Sequence, residues 1–251
     1  MAARLSRPPI LSLTIGPSTR TLPLISKYPH DNVGGEMDQA QASRVSEPCV
    51  TPLRERRRQE TINEILDLSI SVIRQEGVAG LNLTTVARQL GVQPTALYKY
   101  FPSLVAVYDG LYRRAGSDVL HEVEIAVAAS QPGMTSLQDA MSAVDRWAAM
   151  NPELAQLLIG RPIPGYYPAP DALDPSIRIL EIFRRSLDEA IALKEVDARA
   201  TGSRPVLMLA ALLTGVSTLR MVHADEPPYQ GDIEGLIPDL VSMFIRAFPP
   251  Q

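Results

Sequence analysis

A group of polar and aromatic side chains within one short stretch of the chain has the chemistry needed to contact a polyanion. The group comprises Gln93, Thr95, Tyr98, Lys99 and Tyr100. A hydroxyl, a phenol and an ammonium on one face offer hydrogen-bond donors to phosphate oxygens. Side chains at the start of a helix can also reach base edges in a DNA groove. The chemistry that this stretch indicates is therefore non-covalent binding of nucleic acid.

The residues before this group predict a short helix that ends in a glycine turn. Thr84 or Thr85 can cap that helix, because a threonine oxygen accepts one of the unpaired amides at a helix start. Gly91 comes at its end, where glycine adopts the required positive φ at little cost. We expect Val92, the next residue, to fill the gap between this helix and the following one.

A second short helix should follow the turn. Pro94 suits the first turn of a helix, and we expect this helix to run to about Tyr100. Leu97 and Phe101 are apolar and should face inward, which leaves the polar group on the outside. Two helices joined by a glycine turn, with such an outer face, predict a helix-turn-helix.

The same stretch resembles the DNA-reading module of the TetR/AcrR repressors. The resemblance is close from about Arg54 to Leu111 and fades after that. It is carried by Leu83-Thr84-Thr85-Val86-Ala87-Arg88-Gln89-Leu90-Gly91-Val92 and by Ala96-Leu97-Tyr98-Lys99-Tyr100-Phe101-Pro102-Ser103. The Leu-Tyr-x-x-Phe ending, together with the matching helix before it, makes the resemblance specific.

The resemblance implies a role for each residue of the module. Contacts at or near the bases fall to Gln93, Pro94 and Thr95, at the start of the helix that enters the major groove. Contacts to backbone phosphates are implied for Thr84, Tyr98, Lys99 and Tyr100, and Thr85 completes the DNA-binding set. Packing of Tyr98 between helices is the alternative for that residue.

The chain departs from the family pattern at one position. Many members carry a lysine that contacts phosphate just after Phe-x-Ser, and here that position is Leu104. The missing contact could come from Arg88 or from the arginines of the first helix. Those arginines are Arg54, Arg56, Arg57 and Arg58, and they either reach the DNA backbone or are a solvated helix end. The helix dipole does not favour cations at a helix start, which favours the first interpretation.

Charge is distributed unevenly along the chain. The whole chain has a net charge of −4, which does not by itself indicate a nucleic-acid binder. Residues 51–114 hold nine basic and six acidic side chains, whereas residues 115–251 hold ten basic and eighteen acidic. A positive module joined to an acidic body suits a protein that presents one end to phosphates.

The rest of the chain predicts an all-α protein with two domains. We expect a disordered tail at 1–52, with Met37 as an alternative start of translation, and a three-helix DNA-binding domain at 53–101. A larger helical domain for ligand binding and dimerisation should occupy 102–251. Its expected helices are at about 102–111, 116–129, 136–150, 153–159, 174–194, 205–221 and 232–247.

The larger domain should bind a small effector and form a homodimer. Eight residues are candidates for a pocket that would take a mostly apolar molecule, although a plain core role is the alternative for each. They are Trp147, Met150, Leu154, Leu158, Tyr166, Phe183, Met208 and Leu212. The dimer surface is expected on the helices at 174–194 and 205–221, and burial of these helices within one subunit is the competing explanation.

Neither an enzyme nor a metal site is indicated. The sequence His121-Glu122-Val123-Glu124-Ile125 begins like a zinc-protease helix, but Ile125 stands where the second histidine is needed. His223-Ala224-Asp225 has no third ligand at a fixed spacing. We expect no cofactor, no membrane partner and a cytoplasmic location, and the single cysteine, Cys49, fits a reducing compartment.

The partner implied by the resemblance is double-stranded operator DNA. Two alternatives remain open. The chain could be a DNA-binding regulator without any effector, in which case the helical body would have no pocket. It could also be a protein-interaction module on the same fold, in which case it would lack salt-sensitive DNA binding.

Overall fold

The computed structural model describes residues 53–160, 163–223, 233 and 235–250, with backbone only at 222 and 223, and among them helices are the only regular secondary structure. This confirms the predicted fold class. The helices are α1 Leu53–Glu76, α2 Leu83–Leu90, α3 Pro94–Leu97, α4 Leu104–Ala129, α5 Met134–Met150, α6 Pro152–Gly160, α7 Asp174–Ala192, α8 Ser203–His223 and α9 Leu236–Ala247. Single 3₁₀ turns lie at Val78–Gly80, Pro170–Ala172 and Ala198–Ala200. The tail predicted at 1–52 and the alternative start at Met37 lie outside the described residues.

Helix α1 supports the two short helices that follow it. Its apolar residues recur every three or four positions, so one stripe faces the core. Ile65, Leu66, Ser69 and Ile73 are buried on that stripe, as the spacing predicts. The Ser69 hydroxyl donates to the Ile65 carbonyl at 2.7 Å, so the one polar residue of the stripe is buried without an unmet hydrogen bond.

The cap of α2 differs from the prediction. The helix is capped by Asn82, whose side-chain oxygen accepts a hydrogen bond from the Thr85 amide at 2.8 Å. An asparagine at this position is as good a cap as threonine, and it starts the helix one residue before Thr84. Both threonines are thereby placed in the first turn of α2. Gly91 ends the helix with φ of 74°, as expected.

Val92 does not fill the gap between α2 and α3, and that prediction was wrong. Its side chain is 39% exposed. Helix α3 spans a single turn, and its Leu97 is buried in the same apolar core as Val86 and Ala87 of α2. Leu97 therefore takes the interior position that we assigned to Val92, and the chain beyond α3 continues as turns rather than as helix to Tyr100.

Two helices expected at 102–111 and 116–129 form one continuous helix, α4. The predicted break was wrong because Gly116 serves packing rather than helix termination. A Cβ at Gly116 would lie 3.1 Å from Pro175, so glycine lets the start of α7 approach α4 closely. The 26-residue α4 therefore runs without interruption from the helix-turn-helix into the rest of the fold.

The remaining helices pack around α5 and α7. The largest fully buried side chains here include Leu137 and Met141 of α5, Phe183 and Leu187 of α7, and Leu209 of α8. The apolar side of α7 is thus buried within the chain, as in the competing explanation for that helix. From Thr51 to Gln251 the chain forms one compact unit. The boundary at residue 101 stays a prediction.

Candidate nucleic-acid interface

The eight residues predicted to contact DNA lie together at the surface of α2, α3 and the turn after α3. Thr84, Gln93, Thr95, Tyr98 and Lys99 are exposed. Thr85, Pro94 and Tyr100 are partly buried. The side chain of Tyr98 is 51% exposed, so its outer part is free to meet a partner. These largely exposed polar and aromatic residues lie on neighbouring elements of the fold, and we call them together the reading face.

Buried anchors beneath the reading face hold it in place. Leu97 is 1% exposed and Phe101 is 7% exposed, and both point into the core as predicted. Their backbone is tied as well, because the amides of Tyr100 and Phe101 both donate to the Leu97 carbonyl at 2.9 Å. The two anchors and the Gly91 turn fix the direction of the side chains between them. A pre-organised surface of this kind binds with less loss of conformational entropy.

The electrostatics of the reading face favour an anion. The Lys99 ammonium lies 4.8 Å from the centroid of the Tyr100 ring. The pKa of Tyr100 is lowered, chiefly by its hydrogen bond with the Thr61 side chain and also by its hydrogen bond with Lys99 and the charges of Lys99 and Arg58, against the effect of burial. Negative charge is therefore stabilised at this hydroxyl, which is the condition that a phosphate oxygen would meet.

Helix α4 begins without the cation that the family pattern leads one to expect. Ser103 caps the helix by accepting a hydrogen bond from the Ala106 amide at 3.2 Å. Leu104 is partly buried against the apolar core and offers no donor to a phosphate. Arg88 is exposed on α2, so it remains available for a backbone contact.

A hydrogen-bonded junction, which the sequence did not reveal, joins α4 to the helix-turn-helix and to the loop before α7. The Tyr108 hydroxyl donates to the Val78 carbonyl at 3.1 Å, and its ring lies 5.6 Å from the ring of Tyr166. Asp109 accepts from the Tyr166 hydroxyl at 2.9 Å and from the Ala169 amide at 3.0 Å. Burial raises the pKa of Tyr166, and its hydrogen bond to Asp109 raises it further.

Ion pairs strengthen the connection between these elements. Arg74 of α1 donates through Nε to Glu153 of α6 at 2.9 Å. Arg114 of α4 pairs with Asp67 of α1. A motion of α4 or α6 would therefore be transmitted to α1, which is the helix that supports the reading face. Adjacent charged residues on α4 were the available sequence signal, but their partners are distant in the chain.

The eight candidate pocket residues differ in how deeply they are buried. Trp147, Leu154 and Phe183 are buried in the apolar core, and Leu158 and Tyr166 pack against it. Leu212 is partly buried. Met150 is 70% exposed and Met208 is 41% exposed, so these two lie on the outside of the chain rather than beside the core residues. The pocket as a set stays a prediction.

Helix α8 presents an apolar side to the outside. Its inner side buries Val206, Leu209, Leu213 and Val216, whereas Leu207 is 49% exposed and Leu219 43%. By length and composition the stretch Ser203–Met221 could cross a membrane, although a core helix of a soluble protein meets the same criteria. The inner side is committed to packing, and the outer apolar side is left without a partner within the described residues.

Within the part of the chain that the structure describes, no group of three or more His, Cys, Asp or Glu side chains could hold a metal ion. The His121 helix turn lies on the exposed side of α4. The segment that contains Ala224 and Asp225 lies outside the described residues.

A sequence model of a known protein family matches the segment that contains the reading face. The sequence model of the bacterial regulatory proteins of the tetR family matches residues 65–107, which run from within α1 to the start of α4. This segment of the chain is therefore similar to the tetR family. The matched segment contains the complete reading face and both of its buried anchors.

Relatives and solved structures extend the comparison beyond this segment. An HTH-type transcriptional regulator of Mycobacterium tuberculosis is 32% identical over 127 residues, which is 49% of this chain and 53% of that protein. The chain thus spans about half the length of the curated relatives it matches. A tetR-family regulatory protein from Rhodococcus aligns with a TM-score of 0.58 at 14% identity, over 76% of this chain and 98% of that one. A TetR family transcriptional regulator from Thermus thermophilus aligns with a TM-score of 0.55 at 17% identity, over 72% and 97%. At these identities the structures establish the shared fold.

Proposed function

We propose that this chain is a DNA-binding transcriptional regulator that acts as a repressor. The observation that supports this most strongly is the coincidence of two features over the same residues. The exposed polar surface of α2, α3 and the following turn falls within the segment that matches the family model. A helix of that face in the major groove would place short polar side chains at base edges and longer ones at phosphates.

Within the reading face, we assign different contacts to the two ends of α3. Gln93, Pro94 and Thr95 precede or open the helix, and they read base edges. Tyr98, Lys99 and Tyr100 lie after it, with Thr84 and Thr85 across the turn on α2, and these residues hold the DNA backbone. Only the first group should affect sequence preference, because phosphates are the same at every base pair.

Selection of bound duplexes from a random DNA library tests this assignment. The wild-type chain should enrich a near-palindromic sequence, and Thr95→Ala should change the preferred base at one position in each half-site. Lys99→Ala should weaken binding about equally for all sequences and reduce the salt slope by about one. If Thr95→Ala lowered affinity uniformly, the base-reading role of Thr95 would be wrong.

The proposed active form is a homodimer, since two DNA-binding domains related by a two-fold axis contact the two half-sites of an operator. The exposed apolar side of α8 supports this proposal. Leu207, Met208 and Leu219 are each more than 40% exposed there. The outer side of α7 carries mostly charged residues together with the exposed Ile177, so we propose α8 as the main dimer surface.

An apolar small molecule that binds the helical body is the proposed signal for release from DNA. The small molecule can act only if it binds with different affinity to two conformations of the dimer. In one the two DNA-binding domains are spaced as on DNA, and in the other they are spaced as in the free protein. The tyrosine junction at α4 supports such coupling, because it joins the body to the 3₁₀ turn before α2. A screen of apolar compounds for release of the selected duplex, with thermal stabilisation as a second readout, tests the effector.

Two other functions would give different results in these experiments. A regulator without an effector would bind the selected duplex tightly and would release it with none of the compounds. A protein-interaction module on the same fold would enrich no sequence at all. The proposed location is the cytoplasm, where operator DNA is accessible.

A further inference from the structure

A cleft of about 730 Å³ lies between the start of α1 and the turn after α3. It opens to solvent beside the reading face. Its described lining comes from two separate elements of the chain. The residues are Leu53, Arg54, Glu55, Arg57, Arg58 and Thr61 of α1, with Lys99 and Tyr100 from the turn. Lys99 and Tyr100 therefore belong both to this cleft and to the reading face.

The cations of the cleft have no acidic partners among the described residues. No carboxylate of the described chain lies within ion-pair distance of Arg54, Arg57, Arg58 or Lys99, and Glu55 is the one acidic residue in the described lining. Arg56, on the same turn of α1, pairs instead with Glu60 at 3.4 Å and does not line the cleft.

Most of the twelve arginines elsewhere in the described chain have an acidic partner, and the five that lack one are dispersed over separate helices. Seven of them pair with a carboxylate, in most cases across two elements of the fold. They are Arg74, Arg113, Arg114, Arg178, Arg184, Arg199 and Arg220. Clustered cations without partners repel one another, so their concentration around a cleft favours an external anion as the missing partner.

The hydrogen-bond donors of the cleft also suit an anion with several oxygens. Guanidinium groups bind phosphate through two parallel hydrogen bonds, and the Lys99 ammonium adds a point charge. Thr61 also lines the cleft, although its hydroxyl donates its proton to the Arg57 carbonyl at 3.0 Å. The field of these cations is already apparent at Tyr100, whose pKa they help to lower.

We propose that this cleft binds the DNA backbone at the edge of each half-site, outside the bases that α3 reads. The inference rests on the proposed function and extends it by naming a second phosphate-binding surface. DNA is favoured over a free anion because the cleft continues directly into the reading face through Lys99 and Tyr100. The cleft arginines then supply the backbone contact that Leu104 cannot make at the start of α4.

A matched pair of arginine variants tests the cleft in the full-length chain. The test variant is the double substitution Arg57→Gln and Arg58→Gln, and the control is Arg56→Gln on the same helix turn. All three arginines are exposed, so the variants should fold as the wild type does, which thermal unfolding by circular dichroism verifies. Affinity for a duplex that contains the selected operator is measured from about 50 to about 200 mM salt.

The double variant should lose affinity for operator and unrelated duplexes by a similar factor. Its slope of log affinity against log salt should be smaller than that of the wild type by roughly one to two, since each phosphate contact contributes about 0.9. Arg56→Gln should change the slope less. Removal of the base pairs that flank the half-sites should weaken the wild type and abolish the difference between the wild type and the double variant.

Three outcomes separate this inference from the proposed function. Wild-type binding with a steep salt slope that the double variant retains would overturn the cleft and leave the regulator intact. A difference between variants that persists on the trimmed duplex would also overturn it, because the contacts would then lie within the half-site. No DNA binding by the wild type would overturn both proposals.

Discussion

Two surface clefts of this chain are lined by arginines, and they differ in how those charges are balanced. The cleft at the start of α1 leaves its arginines without acidic partners among the described residues. A second cleft of about 350 Å³, which we call the α7 groove, lies between the end of α4 and the outer side of α7. There Arg178 pairs with Glu124 at 2.8 Å and Arg184 pairs with Asp188 at 2.9 Å.

We infer from this difference that the cleft beside the reading face is the one that meets a partner. Exposed ion pairs such as those of the α7 groove contribute roughly 0–1 kcal/mol each, and they leave almost no net field. The cleft beside the reading face keeps its cations unneutralised, at a cost in mutual repulsion. We therefore interpret the α7 groove as a solvated surface, although it is also rich in arginine.

The largest expected effect comes from reversing a charge at the point that the cleft and the reading face share. Lys99→Glu should weaken operator binding by roughly a hundredfold, because it removes a phosphate contact and adds repulsion. The control is Arg185→Glu, which makes the same change of charge in the α7 groove. Fluorescence anisotropy with a labelled duplex measures both variants. Equal effects of the two substitutions would mean that binding responds to net charge alone.

A smaller effect is expected from the apolar side of α8. Leu207→Glu should weaken the dimer and lower operator affinity by roughly tenfold, because a larger fraction of the chain is then monomeric and contacts only one half-site. Ile177→Glu on the outer side of α7 is a closely matched control, since both side chains are 49% exposed. Analytical ultracentrifugation gives the oligomeric state. If Ile177→Glu produced a monomer and Leu207→Glu did not, the dimer interface would lie on α7 instead of α8.

The junction between α4 and the loop before α7 should respond less strongly. Tyr166→Phe removes a partly buried hydrogen bond to Asp109, and it should lower the free energy of unfolding by about 1 kcal/mol. Urea unfolding measures that loss. If the junction couples the body to the reading face, the variant should also need a different effector concentration for release from DNA. Unchanged stability would indicate that water replaces the tyrosine hydroxyl.

The smallest expected effect is a dependence of stability on alkaline pH. The folded chain raises the pKa of Tyr166 above the ordinary value of about 10, so the unfolded chain loses this proton first. The stabilising contribution is therefore complete below that pH and declines as the pH rises further. The difference in unfolding free energy between wild type and Tyr166→Phe should shrink above about pH 10. A difference that grew with pH would contradict the assigned direction.

The sequence predicted the glycine turn and the buried anchors beneath the reading face because local rules determine them, whereas the DNA contacts of that face stay a prediction. The glycine turn at Gly91, the proline at the start of α3 and the inward Leu97 and Phe101 all depend on neighbours within a few residues. Asn82 was missed as a cap because two threonines follow it, and all three residue types are good caps. The choice among them depends on where α1 and its turn end.

Features that depend on distant partners could not be predicted in the same way. Gly116 looked like a break between helices, and only the position of Pro175 shows that it permits close packing. The sequence did not reveal that Met150 and Met208 are exposed, because both residues are apolar and fall at helical spacing. The contact of Tyr166 with Asp109 joins residues 57 positions apart, beyond the reach of any local pattern.

We propose that the reading face binds DNA through phosphates and bases together. The most direct test is binding of the purified full-length chain to the DNA upstream of its own gene, measured as a function of salt beside an unrelated duplex of equal length. We expect tight, selective binding with two protomers per site and a steep negative salt slope. No binding to either duplex, or binding that does not change with salt, would contradict the account.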